Sequence, residues 1–209
     1  MTPTSEFWDK LAPKYRQQKI SDETAYAATL ALVRQYVAAD ARVLELGCGT
    51  GGTALKLAGD VHSIVATDFS AGMIAQALAR PAAPNVQFMQ ADVFEPALEP
   101  GVFDAVLGFN LFHLVQDAPA QFARVHALLP QGGLFISKTP CIGERSLGFK
   151  FSMIRAMVPL MQRFGKAPYV RYFKTREVVE EIKAAGFEVL ETGNYPDLPP
   201  AHLVVARKL

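Results

Sequence analysis

The sequence predicts an α/β protein in which a mostly parallel β-sheet is covered by helices on both faces. Short runs rich in β-branched residues alternate with longer helical patterns along most of the chain, which is typical of parallel sheets. The last two strand-like runs, GFEVLETGNY and HLVVARKL, are joined only by a Pro-rich turn. A parallel crossover needs about a dozen residues, so this final pair is predicted to be antiparallel.

The alternation can be followed from residue 41 onwards. ARVLELG predicts a strand and GTALKLAG the helix after it. HSIVATDFS predicts a second strand that ends at an acid, and Ser70 can serve as the N-cap of the helix SAGMIAQALAR. The remaining predicted elements are the strand NVQFMQADVF, the strand FDAVLGFNLFHL, the helix APAQFARVHALL, the strand GGLFISKTP and the helix TREVVEEIKAAGF.

Composition indicates a single domain over residues 1–209. The chain has 209 residues, half of them hydrophobic, which suffices for one sizeable core. The formal net charge of +1 gives no overall reason to expect nucleic acid. Two cysteines, Cys48 and Cys141, are too few for a disulfide framework or a zinc site, so we expect no metal. Without a signal-peptide pattern or an apolar run of ~20 residues, the expected location is cytoplasmic.

The stretch VLELGCGTGG, residues 43–52, is the strongest functional signal. An apolar strand carries Glu45 near its end, and four glycines follow within six residues. Glycines there permit positive φ and let the backbone approach a ligand. A dinucleotide site is one interpretation, because Asp68 ends the next strand where an acid binds ribose hydroxyls. However, Glu45 would repel a pyrophosphate and suits a positively charged amino group; a tight turn without a ligand is a third interpretation.

A nucleoside joined to an amino acid, without phosphate, satisfies both ends of this pattern, and S-adenosylmethionine is such a molecule. The glycine stretch, followed by ATDFS, QADVF, FDAVLGFNLFHL and LLPQGGLFISK, resembles the class I S-adenosylmethionine-dependent methyltransferases of the small bacterial, methyltransferase-11-like type. The resemblance runs from about Arg42 to Ser137. It implies a Rossmann-like three-layer sandwich with a seven-stranded, mostly parallel sheet whose last strand is antiparallel. N-terminal helices, which form a lead-in over residues 1–40, and a helical insertion after strand 5 complete the implied fold.

The resemblance also implies which residues bind the cofactor. Asp68 would bind the ribose hydroxyls, and Asp92 would meet the adenine amino group. Asn110 would lie near the sulfonium, and Tyr15 would fold over the methionine portion. Asp68 could instead cap the helix after it, and Asp92 could simply end a strand in a turn. The full implied set is Tyr15, Glu45, Gly47, Cys48, Gly49, Gly51, Asp68, Phe69, Met73, Asp92, Val93 and Asn110.

His113 is the candidate general base, since it follows Asn110 by three residues on the loop that would face the acceptor. Methyl transfer needs a base only where the acceptor must lose a proton. The alternative is a histidine packed beneath that loop. The end of the fourth strand reads GFNLFH, unlike the Asn/Asp-Pro-Pro-Tyr/Phe of enzymes that methylate DNA bases or glutamine. With no RNA-binding motif either, nucleic acid is not an expected partner.

Residues 141–174 interrupt the alternation and are predicted to form a helical lid insertion. Residues 138–176 carry nine Lys or Arg and one acid, Glu144. In SLGFKFSMIRAMVPLMQRFG, two adjacent apolar stripes at helical spacing are expected to bury more than one side, and Pro159 is expected to bend the helix or start a second one. The segment is either an ordinary cap or a lid over an apolar acceptor, whose basic edge contacts a membrane or an anionic substrate.

The leading functional hypothesis is a methyltransferase that moves a methyl group from S-adenosyl-L-methionine to a small, apolar or lipid-like acceptor. Its other product would be S-adenosyl-L-homocysteine, and the enzyme would be a monomer or a homodimer. The alternatives are a non-catalytic protein that binds the cofactor and an enzyme that transfers another group from a modified S-adenosylmethionine. An NAD-linked oxidoreductase is disfavoured by Glu45 and by the antiparallel final strand.

Overall fold

The structure, a computed structural model, describes residues 5–95, 97–144 and 147–209, with the side chains of 149, 150, 152 and 154 outside the description. The strands are β1 (Arg42–Leu46), β2 (Ser63–Asp68), β3 (Val86–Gln90), β4 (Ala105–Phe109), β5 (Leu134–Pro140), β6 (Phe187–Asn194) and β7 (Ala201–Lys208). The helices are α1 (Ser5–Gln17), α2 (Glu23–Tyr36), α3 (Gly52–Leu57), α4 (Ala71–Leu78), α5 (Ala118–Leu128), α6 (Gly148–Arg163) and α7 (Thr175–Ala184). Two 3₁₀ turns span Ala58–Asp60 and Phe112–Leu114.

The sheet confirms the fold class predicted from the sequence. Its seven strands have the order β3-β2-β1-β4-β5-β7-β6. Strands β1 to β5 pair in parallel, whereas β7 lies between β5 and β6 and is antiparallel to both. The N-terminal helices α1 and α2 and the insertion after β5, which contains α6, are also present.

The strand order places a ligand-binding crevice between β1 and β4. From β1 the chain moves outward through β2 to β3, and then returns to β4 on the other side of β1. The connections therefore leave β1 and β4 in opposite directions and open a crevice beyond their carboxyl ends. Ligands of open parallel sheets bind at such a switch point.

The core has one layer on each face of the sheet, because the parallel strands are buried on both sides. One face packs aromatic side chains from the 3₁₀ turn, α5, β5 and β6: Phe112, Phe122, Phe135 and Phe187. The other face packs aliphatic residues of α2, α3 and α4, among them Val33, Leu57 and Ile74. The three layers are thus two helical layers and the sheet between them.

Helix α6 differs from its sequence expectation in two respects. It continues through Pro159 without a break, so that proline does not start a second helix. The expected burial of both apolar stripes is wrong. Four members of one stripe are 51%, 54%, 61% and 67% exposed, in the order Met153, Met157, Leu160 and Phe164. Of the described members of the other stripe, Met161 is exposed and the rest are only partly buried. Among the described residues, no helix is long and apolar enough to cross a membrane.

The aromatic layer predicts a large loss of stability when Phe135 is truncated. Phe135 is fully buried, and its ring centroid lies 5.6 Å from that of Phe112, 5.9 Å from that of Phe122 and 5.4 Å from that of Phe187. We expect Phe135→Ala to lower the free energy of unfolding by about 3–5 kcal/mol in urea titrations, because it leaves a cavity.

The matched control is Phe94→Ala, at a side chain that is 51% exposed. This substitution should cost less than about 1 kcal/mol. Equal losses for the two variants would contradict the assignment of Phe135 to the centre of the core.

Candidate functional site

A cavity of about 340 Å³ opens in the crevice at the carboxyl ends of the parallel strands. This volume lies in the range of small-molecule sites, roughly 300–1,000 Å³. Its wall comes from α1, from the segments that follow β1, β2, β3 and β4, and from the start of α5. The lining residues are Trp8, Tyr15, Leu46, Gly47, Gly49, Thr67, Asp68, Phe69, Met73, Ala91, Asp92, Val93, Phe109, Asn110, Leu111, Leu114, Val115, Gln116, Asp117 and Gln121.

The glycine loop after β1 forms one side of this cavity. Gly47, Gly49 and Gly51 have φ of +66°, +55° and +75°, a region that other residues rarely adopt. A Cβ on Gly47 would lie 2.9 Å from a methyl group of Leu111 on the wall. A Cβ on Gly51 would lie 2.6 Å from the ring of Phe88, so this glycine serves the packing of α3 and is not on the cavity wall.

Asp68, at the end of β2, connects the glycine loop to the start of α4. Its carboxylate accepts hydrogen bonds from the backbone N–H of Gly49 and of Ser70, each at 2.9 Å. Ser70 is the N-cap of α4, because its hydroxyl oxygen accepts from the N–H of Met73. Asp68 therefore does not cap the helix. Burial raises the pKa of Asp68, and two of its lone-pair directions remain for a ligand.

Helix α1 is held over the cavity by a second carboxylate. The Oδ1 atom of Asp9 accepts hydrogen bonds from the Ser70 hydroxyl at 2.6 Å and from the Gly72 N–H at 2.8 Å. A Cβ on Gly72 would lie 2.7 Å from the Asp9 Cα, so only glycine lets the helices approach this closely. Docked in this way, α1 places Trp8 and Tyr15 on the cavity wall.

The opposite end of the cavity is formed after β2 and β3. Phe69, Met73, Asp92 and Val93 all lie on the wall, as do Asp68 and the glycines beside it. Asp92 also accepts a hydrogen bond from the N–H of Phe94 at 2.7 Å, which makes a local turn. The turn and the exposed carboxylate are compatible, because an ionised carboxylate accepts several hydrogen bonds.

Asn110 follows β4 in a strained backbone conformation on the same wall. Its φ is +54°, the one positive value at a residue other than glycine among those described. Its N–H donates to the carbonyl of Lys138 at 2.7 Å, which fixes the strained position against β5. Strain of this kind is concentrated at functional sites.

Glu45 and Cys48 lie behind the glycine loop, and neither belongs to the cavity wall. The Glu45 carboxyl accepts from the Ala54 N–H at the start of α3, and its Oε2 atom has no partner among the described residues. Burial raises the pKa of Glu45 to about 8, with a smaller contribution from the charge of Asp68. Burial also raises the pKa of the Cys48 thiol. The expectation that the Glu45 side chain faces the ligand therefore differs from its observed position.

His113 is likewise absent from the cavity wall. It lies in the 3₁₀ turn after β4, and its Nδ1 atom is buried with no hydrogen-bond partner in the described part of the chain. Burial lowers the pKa of His113 to about 4, so the side chain is neutral near pH 7 and is a weak base. Its position agrees with a histidine packed beneath the loop, the alternative to a general base.

Several wall residues were not expected from the sequence. Trp8 directly precedes Asp9 on α1, and Gln116 and Asp117 lead into α5. Gln121 follows Asp117 by four residues, which places both on one face of the helix start. The Oε1 atom of Gln121 is buried with no partner in the described segments, although Gln121 lies on the wall. Helical spacing from the Asp117 N-cap was the available sequence signal.

A second, larger cavity of about 1300 Å³ lies beside the first. It is bounded by α1 on one side and by the end of α6 and the residues after it on the other. Trp8 and Gln116 line both cavities, so the two are neighbours across these side chains. The remaining lining residues are Glu6, Phe7, Lys10, Leu11, Pro159, Gln162, Arg163, Phe164, Gly165, Ala167, Pro168 and Tyr169.

The central part of the chain matches one family model. Residues 43–133 match the family model described as a methyltransferase domain. This range contains the glycine loop and the three acids on the cavity wall, and nearly coincides with the range of the sequence resemblance. This part of the chain is therefore similar to a methyltransferase domain, in agreement with the sequence resemblance.

Two curated relatives have names that include a methyl acceptor. The malonyl-[acyl-carrier protein] O-methyltransferase of Geobacter sulfurreducens is 29% identical over 86% of this chain and 73% of its own length. The demethylmenaquinone methyltransferase of Clavibacter sepedonicus is 28% identical over 73% of this chain and 68% of its own length. Other relatives are covered less fully, since the chain spans 46% of a Mycobacterium bovis methyltransferase and 4% of a Penicillium soppii polyketide synthase.

Among solved structures, the Burkholderia thailandensis 1,6-didemethyltoxoflavin-N1-methyltransferase superposes with a TM-score of 0.73. It is 21% identical, and the match covers 98% of this chain and 86% of that protein. That structure contains 1,6-didemethyltoxoflavin and S-adenosylhomocysteine. At this level of identity the likeness establishes the shared fold.

The contacts of Asp9 predict that its loss releases α1. We expect Asp9→Ala to speed amide hydrogen exchange in α1 about tenfold, because hydrogen bonds worth about 1 kcal/mol are lost. These hydrogen bonds lower the pKa of Asp9 below its usual 3.8. The stability that these hydrogen bonds contribute is therefore fully present above pH 3.8. It is lost as the pH falls through the folded-state pKa of Asp9. Fluorescence of Trp8, the one tryptophan of the sequence, gives a second readout.

The control is Glu6→Ala on the same helix, which removes an exposed 3.9 Å ion pair with Lys10. Such pairs contribute little, so α1 should exchange as in the wild type. Equal acceleration in both variants would show that Asp9 does not hold the helix.

Burial of Glu45 predicts a pH dependence of stability. Between its usual pKa of 4.5 and the folded value of about 8, the folded state holds a proton that the unfolded state has lost. Stability therefore falls as the pH rises through this window. We expect Glu45→Gln, which mimics the protonated carboxyl, to be at least about 1 kcal/mol more stable than the wild type at pH 8 in urea titrations.

In Glu45→Gln, the decrease of the free energy of unfolding with pH should be smaller than in the wild type. It should not vanish, because the pKa of Asp68 is raised as well. Glu99→Gln, at an exposed acid, is the control and should leave the profile unchanged. A Glu45→Gln profile parallel to that of the wild type would show that Glu45 is ionised in the folded protein.

Proposed function

We propose that the protein transfers a methyl group from S-adenosylmethionine to a small, apolar acceptor. The observation that carries the proposal is the charge of the first cavity. Three acids, Asp68, Asp92 and Asp117, lie on its wall, and its described lining contains no Lys, Arg or His. Such a wall attracts a cation and repels a phosphate. It favours a sulfonium nucleoside and disfavours NAD and nucleic acid.

The residues present fit this cofactor. The wall offers acids at the ends of two adjacent strands, which suit the ribose hydroxyls at Asp68 and the adenine amino group at Asp92. The unpaired Oε1 atom of Gln121 offers a further buried acceptor. At the other end, positive φ at Gly47 and Gly49 leaves the loop backbone open to the amino-acid portion. Glu45 would influence the amino-acid portion only indirectly, because its carboxyl lies behind the glycine loop and is not on the cavity wall.

The cofactor supplies an activated methyl group on a sulfonium, which the acceptor atom displaces in line. The protein aligns the acceptor and excludes water, and such positioning can contribute several kcal/mol. Trp8 and Tyr15 cover the cavity, since α1 holds them there. Asn110, held in a strained conformation, positions the wall beyond β4. His113 would support the loop on which Leu111 and Leu114 lie, in place of acting as a general base.

The second cavity suits the acceptor, because it joins the first at Trp8 and Gln116. Phe7, Leu11, Phe164 and other apolar residues line it together with a few charged groups. The names of the Geobacter and Clavibacter relatives pair a methyltransferase with an acyl carrier and with a quinone. The quinone supports a small apolar acceptor, whereas malonyl is a polar acyl group attached to a carrier protein.

Calorimetric titration tests the proposed cofactor. S-adenosylmethionine and S-adenosylhomocysteine should bind with a Kd on the order of micromolar, whereas NAD should not bind. Asp68→Ala should weaken both sulfur nucleosides at least about tenfold, because a charged hydrogen-bond acceptor is lost. The control Asp40→Ala, at an exposed acid before β1, should bind as the wild type does. Binding of NAD, or equal affinity in Asp68→Ala, would overturn the proposal.

A further inference from the structure

We propose that the exposed face of α6 binds an anionic lipid surface and that the acceptor is a membrane-dissolved amphiphile that enters the second cavity from this face. The acceptor part rests on the proposed function, whereas the surface contact stands by itself. The exposed face is defined as Met153, Met157, Leu160 and Phe164.

These four side chains form one continuous apolar stripe. Their spacing of four, three and four residues places them on one side of a helix. Each is more than half exposed, from 51% at Met153 to 67% at Phe164. Contiguous exposed apolar surface on a helix marks a contact with a partner or a membrane, unlike apolar residues exposed singly.

The charge around the stripe matches an anionic surface. Residues 145–176 contain eight Lys or Arg and no Asp or Glu. Ion pairs with acids of α7 are formed by three of these cations, Arg171, Lys174 and Arg176. Arg163 and Lys166, at the end of α6, are both exposed beside Phe164. An amphipathic helix with Leu, Met and Phe on one side and basic residues beside it is typical of helices that lie in the membrane interface. Each basic residue near an anionic leaflet adds about 1 kcal/mol of attraction.

The size of the stripe favours a lipid surface over a protein. A stable protein interface takes roughly 20–30 residues from each side. Four side chains on one helix of 16 residues offer far fewer. A bilayer requires no complementary shape, so a short apolar stripe supported by charge is sufficient for reversible attachment.

The stripe also leads to the second cavity. Pro159, Arg163 and Phe164 from the end of α6 line that cavity, opposite Phe7 and Leu11 of α1. Phe164 therefore belongs both to the exposed stripe and to the cavity wall. Trp8 and Gln116 then separate this cavity from the first one. The second cavity therefore lies between the stripe and the first cavity, where an acceptor taken from a bilayer under α6 would have to bind.

Vesicle sedimentation tests the contact. The full chain is mixed with vesicles of phosphatidylcholine and phosphatidylglycerol, and with vesicles of phosphatidylcholine alone. We expect sedimentation with the anionic vesicles at low salt, and a fall in the bound fraction at about 0.5 M salt, where screening is strong. Leu160→Glu and Met157→Glu should each lower the partition coefficient at least about tenfold.

The matched control is Leu78→Glu, since Leu78 is 63% exposed on α4, away from the stripe. It should sediment as the wild type does. Neither Met157 nor Leu160 lines a cavity, so both variants should keep the wild-type affinity for S-adenosylhomocysteine in calorimetry. Retained affinity with lost sedimentation supports the contact. The two assays also test the membrane contact and the proposed cofactor independently, because vesicle binding does not require the nucleoside.

Three results would overturn the proposal. The first is no sedimentation of the wild type with anionic vesicles at low salt. The second is equal sedimentation of Leu160→Glu and the wild type. The third is a dimer in sedimentation velocity that Leu160→Glu dissociates, since a second copy of the chain would then cover the stripe.

Discussion

The carboxylate of Asp68 is the constraint on which the site depends. It holds the Gly49 N–H on one side and the Ser70 N–H on the other, and Ser70 in turn donates to Asp9. One continuous set of hydrogen bonds thus joins the end of β1, the end of β2, the start of α4 and the covering helix α1. The glycine loop, the end of β2 and the covering helix α1 keep their relative positions because all three are connected through Asp68.

The same arrangement places two acids in a poorly solvated part of the molecule. Glu45 and Asp68 are both buried, and each pKa is raised by burial, because water no longer stabilises the ionised forms. A cationic ligand would relieve this cost directly, whereas a phosphate would add to it. The proposed cofactor suits such a site, because it carries a positive charge and no phosphate. Nine of the 21 Lys and Arg residues instead lie between residues 138 and 176, from the end of β5 to the start of α7.

Much of this arrangement could be predicted from sequence, because it depends on local signals. Strand ends marked by Asp68 and Asp92, the Ser70 cap and the glycines with positive φ follow from short-range patterns. The docking of α1 could not be predicted, since Asp9 and Ser70 are 61 residues apart and either could have faced water. The periodicity of the sequence located both apolar stripes of α6, but it could not predict how far the rest of the protein covers each stripe. The burial of Glu45 and His113 likewise depends on neighbours that only the fold brings together.

The position of β7 has a consequence for the order in which the molecule can be completed during synthesis. β7 lies between β5 and β6 and pairs with both, although it follows them in the chain. Until residues 201–208 have left the ribosome, β5 has a hydrophobic edge with unpaired backbone groups, and β6 has no neighbour in the sheet. Unpaired edges of this kind promote aggregation. The nascent chain therefore passes through a vulnerable interval that ends with its final strand.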